Sequence, residues 1–256
     1  MLFRSGSYDL ILDEADQGFV HLIGGGTCGK SGKREPLSKR ALEFLLGARR
    51  VIMASATLTD NELELVEALR GERTWILENT YKANSYPIKL YRGEHSVKGS
   101  SSQARAAVVE QLAIAVKRGQ RAIVPSDQLR TCRMVEQLGL ELGLMPHQIL
   151  RFDRETSSEE WQREFADDPD GFLAQHDIRL LTHSPSMTSG ISIEGDRFDV
   201  CVGIFEGQSI SPDDVLQALA RVRKPIQRYV YASHWGKAEA IDETRDRKST
   251  RLNSSH

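Results

Sequence analysis

The chain has 256 residues, 39% of them hydrophobic and 27% charged, with a formal net charge of -2. That length and apolar content allow two cores of ordinary domain size. The balanced charge excludes the wholesale basic surface of a histone or a small nucleic-acid binder, so any phosphate contact has to be local. Cys28, Cys132 and Cys201 lie far apart with no CxxC pair, which supports neither a disulfide framework nor a zinc site. No apolar run approaches the roughly 18 residues of a membrane helix and the start lacks signal-peptide architecture, so a soluble protein of the reducing cytoplasm is expected.

Short apolar runs alternate with longer amphipathic stretches, the pattern of βα units on a parallel sheet. In chain order the predicted strands are 8–12 (YDLIL), 50–54 (RVIMA) and 74–77 (TWIL), with helices over 38–47 and 60–70. Thr59 or Asp60 can cap the second helix. From Tyr86 to Ser102 the chain turns polar, with Pro87, Gly93, Gly99 and three consecutive serines, and a linker is placed there. A helix over 103–118 follows, then strands at 121–124, 148–152, 178–182, 198–205 and 228–232, separated by helices over 127–143, 157–167 and 212–223. The fold class expected is α/β, in two lobes with mainly parallel sheets, over residues 1–95 and 96–235.

Both ends look unnatural. The first strand begins only a few residues after Met1, so no element precedes it and the first lobe is expected to be incomplete. Arg247 to His256 (RKSTRLNSSH) is polar, carries no period and resembles a translated sequencing adapter; a disordered native tail is the alternative. Residues 236–256 are therefore left out of the fold reading.

The first strand ends in Asp13, Glu14 and Asp16. Carboxylates at the carboxyl end of a buried parallel strand sit where α/β sheets bind ligands, although a solvated acidic turn explains the same residues. The spelling DEAD at this position resembles motif II, the Walker B element, of superfamily 2 helicases. About forty residues on, a second buried strand ends in Ser55, Ala56 and Thr57, which resembles the SAT element, motif III, of the same enzymes. The resemblance implies that Asp13 holds Mg²⁺, that Glu14 orients or deprotonates the attacking water, and that Ser55 and Thr57 hydrogen-bond the acidic motif, Asp16 included, to couple ATP state to lobe arrangement. A helix cap is the plainer role for the two hydroxyls, and the two roles are compatible.

The rest of the chain adds motifs in the same order. RAIVPSD resembles motif IV, with Ser126 near the nucleic-acid path. LLTHSPSMTSGISI resembles motifs IVa and V, which implies phosphate contacts from Thr182, Thr188 and Ser189 and a close approach at Gly190. QALARVRK, residues 217–224, resembles motif VI, whose glutamine and arginines face the γ-phosphate of ATP across the cleft between two RecA-like lobes. Helical spacing would put Gln217 and Arg221 on one face, with Lys224 a turn further on. Two departures stand out: Lys224 occupies the place of the usual second arginine, with Arg223 one residue before it, and Ser192 stands where many relatives carry an acid. The finger therefore falls to one of Arg221, Arg223 and Lys224.

Gly24 to Ser31 (GGGTCGKS) satisfies the pattern GxxxxGK followed by Ser or Thr of a phosphate loop. It follows the DEAD acids instead of preceding them, and SGKREP after it is broken by Gly32 and Pro36, so no good helix is expected there. A basic surface loop near DNA, using Lys30, Lys33 and Arg34, fits better. The true motif I is expected upstream of Tyr8, so the 256-residue polypeptide alone is expected to hydrolyse ATP poorly or not at all.

Taken together, the motifs most resemble bacterial plasmid replication proteins related to herpesvirus origin-binding proteins. The resemblance implies an ATP- and Mg²⁺-dependent DNA helicase or translocase acting on single-stranded or forked DNA in plasmid replication. A primase or replication-initiation module in the same full-length chain is implied as well. An RNA helicase and a non-catalytic nucleic-acid-binding module are the alternatives. His183 and Ser184 are adjacent and form no oriented triad, and the seven histidines show no metal-ligand spacing, so each is read as structural.

Overall fold

The computed structural model describes residues 6–16, 18–19, 34–55, 58–79, 87–93, 97–187, 191–207 and 212–233. The chain divides into two compact units, residues 1–81 and 82–256. The tail over 236–256 and the glycine loop over 24–31, with Cys28 and Lys30, lie outside the described residues.

In the first unit β1 (Asp9–Asp13) runs parallel to β2 (Arg50–Ala54), with Leu10 opposite Val51, Ile11 opposite Ile52 and Leu12 opposite Met53. Alternation along a strand sends Leu10, Leu12, Val51 and Met53 to one face, where they pack with Ala15, Phe19, Leu45 and Val66. Helix α1 (Arg34–Gly47) begins earlier than its periodicity indicates. Pro36 lies in its first turn, where the N–H that proline lacks has no helical partner in any case, so the expectation that this proline breaks the helix is corrected. Helix α2 (Asp60–Arg70) is capped by Thr59, whose amide donates to Glu62 Oε2 at 2.9 Å, and ends at Gly71 with φ 67. Arg70 then donates from Nη1 to the carbonyls of Leu45 (2.7 Å) and Ala48 (3.0 Å), closing the end of α1. Residues 74–77 are not a strand: Trp75 is 98% exposed, and no described strand pairs with the segment.

The second unit carries a parallel sheet in the order β3-β8-β7-β4-β6-β5, formed by β3 (Ile88–Tyr91), β4 (Ala122–Pro125), β5 (Ile149–Phe152), β6 (Leu180–His183), β7 (Val200–Phe205) and β8 (Gln227–Ala232). Strand β3 was missed because Ile88–Tyr91 is a four-residue edge strand with a largely exposed pattern, set between Pro87 and Gly93. It pairs with β8, so the expected linker is a strand followed by helix α3 (Ser100–Lys117), and the expected limit at residue 95 moves to the 81/82 division. Gly93 is required by close approach, since a Cβ there would meet the Ser101 amide nitrogen at 2.4 Å.

Alternate residues of the central strands feed two separate cores. Ala122, Val124, Leu180, Val200, Val202 and Ile204 pack against α3 and α4 (Leu129–Glu141). Ile123, Leu181, Cys201 and Phe205 face Phe165, Phe172, Leu173 and Leu219, which belong to α5 (Glu160–Asp167), α6 (Pro169–Gln175) and α7 (Pro212–Leu219). Helix α6, absent from the sequence reading, starts on Pro169 after Asp168, whose carboxylate accepts from the Gly171 amide at 2.9 Å. Neighbouring strands β4 and β7 are followed by helices on opposite faces, which makes their carboxyl ends a switch point of the kind that binds ligands in open α/β sheets.

Candidate functional site

In the first unit the pairing of β1 with β2 brings Asp13 opposite Ala54, so the residues just after each strand are neighbours. Ser55 Oγ donates to Asp16 Oδ1 at 2.5 Å, joining the acidic turn to the end of the next strand. Asp13 is exposed and its Oδ1 accepts from the Glu14 amide at 3.1 Å. Glu14 has φ 49, in the left-handed region that costs a residue with a Cβ about 1 kcal/mol or more. That backbone turn leaves Glu14 Oε2 buried without a hydrogen-bond partner. An orphaned carboxylate oxygen beside an exposed aspartate suits a hard cation that takes one or two carboxylates together with water and phosphate oxygens, as Mg²⁺ does. Thr57 lies outside the described residues.

In the second unit Gln217 is half-buried on α7, but the helix ends at Leu219. The expected continuous helix through Lys224 is corrected: Val222 forms a parallel bridge with Ile193, framed by Ile193 N–H donating to Arg221 O (2.8 Å) and Arg223 N–H donating to Ile193 O (2.9 Å). A β-branched pair with main-chain partners outcompetes another helical turn here, and Pro225 excludes the residue before it from comfortable helix. The basic side chains all reach back to the same segment. Arg221 Nη1 donates to Ile191 O at 3.0 Å, Arg223 Nε to Ser192 Oγ at 3.0 Å, and Lys224 Nζ lies 3.6 Å from Asp196. Ser192, where an acid was expected, thus holds Arg223.

The proposed nucleic-acid contacts fare unevenly. Thr182 is fully buried in β6 with its hydroxyl donating to Val124 O at 3.1 Å, so it joins strands and presents nothing to a ligand. Ser126 is also buried, at the end of β4, where its Oγ accepts from the Gln128 amide at 3.2 Å. Both lie too deep for the surface contact expected of them. Thr188, Ser189 and Gly190 lie outside the described residues. At the switch point, Asp127 Oδ1 accepts from the Glu206 amide (2.8 Å), and Glu206 pairs with Arg105 at 2.6 Å.

Two buried titratable side chains add to the site, His183, expected to be structural, and Arg228, for which no role was expected. His183, at the end of β6, is buried with its Nε2 unpartnered, and burial together with the Arg221 charge pushes its imidazole down to about 4. Arg228, the second residue of β8, is buried, and its place as the first residue of the predicted strand 228–232 gave no sign of that depth. Burial also raises the thiols of Cys132, to about 11, and Cys201, to about 12, so neither is a thiolate near neutrality.

No protein-family model matches the chain and no curated protein matches it in sequence. Solved structures do match its fold. One is the DUF1998 helicase MrfA bound to DNA, with a TM-score of 0.52 at 14% identity, over 96% of this chain and 33% of that one. A second is Mycobacterium smegmatis helicase Lhr bound to single-stranded DNA and AMP-PNP, with a TM-score of 0.52 at 19% identity, over 88% of this chain and 28% of that one. A third is S. cerevisiae Dbp5 bound to RNA and ADP BeF3, with a TM-score of 0.52 at 14% identity, over 97% of this chain and 58% of that one. The chain spans about a third of the lengths of the first two. At these identities the likeness is one of fold, and the fold is α/β with parallel sheets of the RecA-like kind.

Proposed function

We propose that the chain is the motor portion of a nucleic-acid-dependent ATPase of the superfamily 2 helicase type, acting on single-stranded or forked DNA. The observation that carries this reading is the Ser55 to Asp16 hydrogen bond, which ties a DEAD turn to an SAT strand end. The first unit supplies motifs II and III and the second supplies motifs IV to VI. Asp13 would hold Mg²⁺, which would offset charge on the phosphates of ATP. Glu14 orients the attacking water and accepts its proton, and Arg221 stabilises charge on the transferred phosphoryl group, with Arg223 and Lys224 anchored beside it. Ser55 and Thr57 pass the state of the acidic turn to β2. Thr188, Ser189 and Gly190 meet the nucleic-acid backbone.

DNA is favoured by the QALARVRK spelling, and MrfA and Lhr, which share the fold, were both solved on DNA. The finer setting follows the sequence resemblance: plasmid replication in the cytoplasm, with a primase or initiation module in the same full-length protein. No helix among the described residues is long and apolar enough to cross a membrane. RNA remodelling is the second reading, favoured by an equal fold likeness to Dbp5, which was solved on RNA. ATP hydrolysis by the full-length protein, measured alone and with single-stranded DNA or RNA, separates the readings. Stimulation by DNA above RNA is expected. Stronger stimulation by RNA would favour the second reading, and nucleic-acid binding without any hydrolysis would leave a non-catalytic clamp.

A further inference from the structure

The segment that presents the motif VI arginines has little regular structure of its own. Helix α7 stops at Leu219, and β8 starts only at Gln227. A helix end leaves carbonyls without partners, that of Leu219 among them, and the turn beyond it adds those of Val222 and Ile226. Arg228, 1% exposed, meets them. Its Nε donates to Leu219 O at 3.1 Å, Nη2 to Val222 O at 2.9 Å and Nη1 to Ile226 O at 2.9 Å. Its backbone amide also donates to Pro87 O at 3.2 Å, which fastens the same residue to the edge of β3.

The three carbonyls bracket the basic run. Leu219 and Val222 lie on either side of Arg221, and Val222 and Ile226 on either side of Arg223 and Lys224. From the opposite side the Ile193 amide holds Arg221 O, and Ile193 O holds the Arg223 amide. The Val222–Arg223 peptide is therefore held at both ends, its carbonyl by Arg228 and its amide by Ile193, while the Arg221–Val222 peptide just before it is held by the Ile193 amide. A planar guanidinium can address three carbonyls at set angles, whereas an ammonium on a flexible stem offers a point charge with no preset fork. A cation at the carboxyl end of α7 is also favoured by the helix dipole.

We propose that Arg228 is a positioning residue: its buried guanidinium clamps the turn from Leu219 to Ile226 and thereby sets the direction in which Arg221 projects. This rests on the reading of Arg221 as the residue that contacts ATP. It touches no substrate, so its effect should fall on turnover more than on binding.

The test compares wild-type full-length protein with Arg228→Lys, which keeps the charge and loses the fork, and Arg228→Met, which loses both. ATP hydrolysis with single-stranded DNA gives kcat and KM, fluorescence anisotropy gives DNA affinity, and hydrogen exchange follows the Ile193 and Arg223 amides. A misplaced catalytic group can cost about 10²-fold, so kcat in folded Arg228→Lys should fall about 10- to 100-fold. KM for ATP and DNA affinity should stay within about threefold, and exchange should speed at Ile193 and Arg223 but not at Val202 in β7. Arg228→Met should show the same pattern more strongly. A folded Arg228→Lys with wild-type kcat would overturn the proposal, as would kcat and DNA affinity falling together with the folded fraction. Unchanged exchange at Ile193 and Arg223 overturns the clamp itself, whereas a wild type inert toward ATP overturns the reading beneath it.

Discussion

Val124, Leu180, Leu181, Val202 and Ile204 of the second unit are wholly buried, with a core on each face of the sheet. In the first unit the paired residues Ile11 and Ile52 stand 68% and 49% exposed, and packing is confined to the opposite face. Parallel sheets are ordinarily covered on both sides. The two sets of candidate functional residues are consequently held in different ways. Arg221 and Arg223 hang on a turn stitched to a dense core by main-chain bonds and by Arg228. Among the described residues Asp13, Glu14 and Asp16 are held by a strained turn and by polar contacts such as that from the Ser55 hydroxyl, so small polar changes should matter more there than apolar ones.

The largest effect expected is that of Arg221→Ala in the full-length protein. An arginine finger is worth about 10³- to 10⁵-fold in turnover, so steady-state ATP hydrolysis should nearly vanish. Near-normal turnover would move the finger to Arg223 or Lys224. The burial contrast is sharpened by unfolding in urea. Phe165→Ala should cost about 3 to 5 kcal/mol, whereas Ile52→Thr, on the bare face, should change stability by less than about 0.5 kcal/mol. Trp161, packed edge-on to Phe152, provides a fluorescence signal from the second unit, and equal costs for the two substitutions would erase the contrast.

Acid should also affect the second unit in particular. The His183 imidazole is pushed from 6.5 to about 4 by burial and by Arg221. The unfolded chain takes up a proton between those values that the folded chain refuses. Stability is therefore complete above pH 6.5 and declines as pH falls toward 4, by about 3 kcal/mol in all. His183→Phe should remove that share of the slope when thermal melts are compared between pH 7 and pH 4.5. An identical slope would mean that the imidazole is solvated. Ser55→Ala should have the mildest effect on activity: it should cost the first unit about 1 kcal/mol in urea unfolding and reduce DNA stimulation of ATP hydrolysis several-fold. Full stimulation in that variant would reduce the hydroxyl to a local cap.

Long periodic elements were legible in the sequence. The predicted spans of β2 and α2 match the observed ones, because the apolar run Val51–Ala54 and a Thr59 to Glu62 capping box are both local signals. What failed depended on partners distant in the chain. The apolar run at 74–77 has no paired strand among the described residues, while Ile88–Tyr91 is a strand only through β8. The break in the expected helix after Leu219 depends on Ile193, some thirty residues earlier. Residue types also misled where depth decides the role. The resemblance to motifs IVa and V, in which hydroxyls and backbone amides contact phosphates, implied such a contact from Thr182, yet its hydroxyl donates to Val124 O within the sheet. Arg228 shows the converse, a cation whose importance comes from three carbonyls no periodicity reveals.

The most direct test of the motor reading is ATP hydrolysis by the full-length protein carrying Glu14→Gln, measured with saturating single-stranded DNA beside wild type. Removing the group that orients and deprotonates water should lower kcat by about 10²-fold or more while ATP still binds. Wild-type turnover in Glu14→Gln would contradict the assignment of the DEAD turn as the hydrolytic centre.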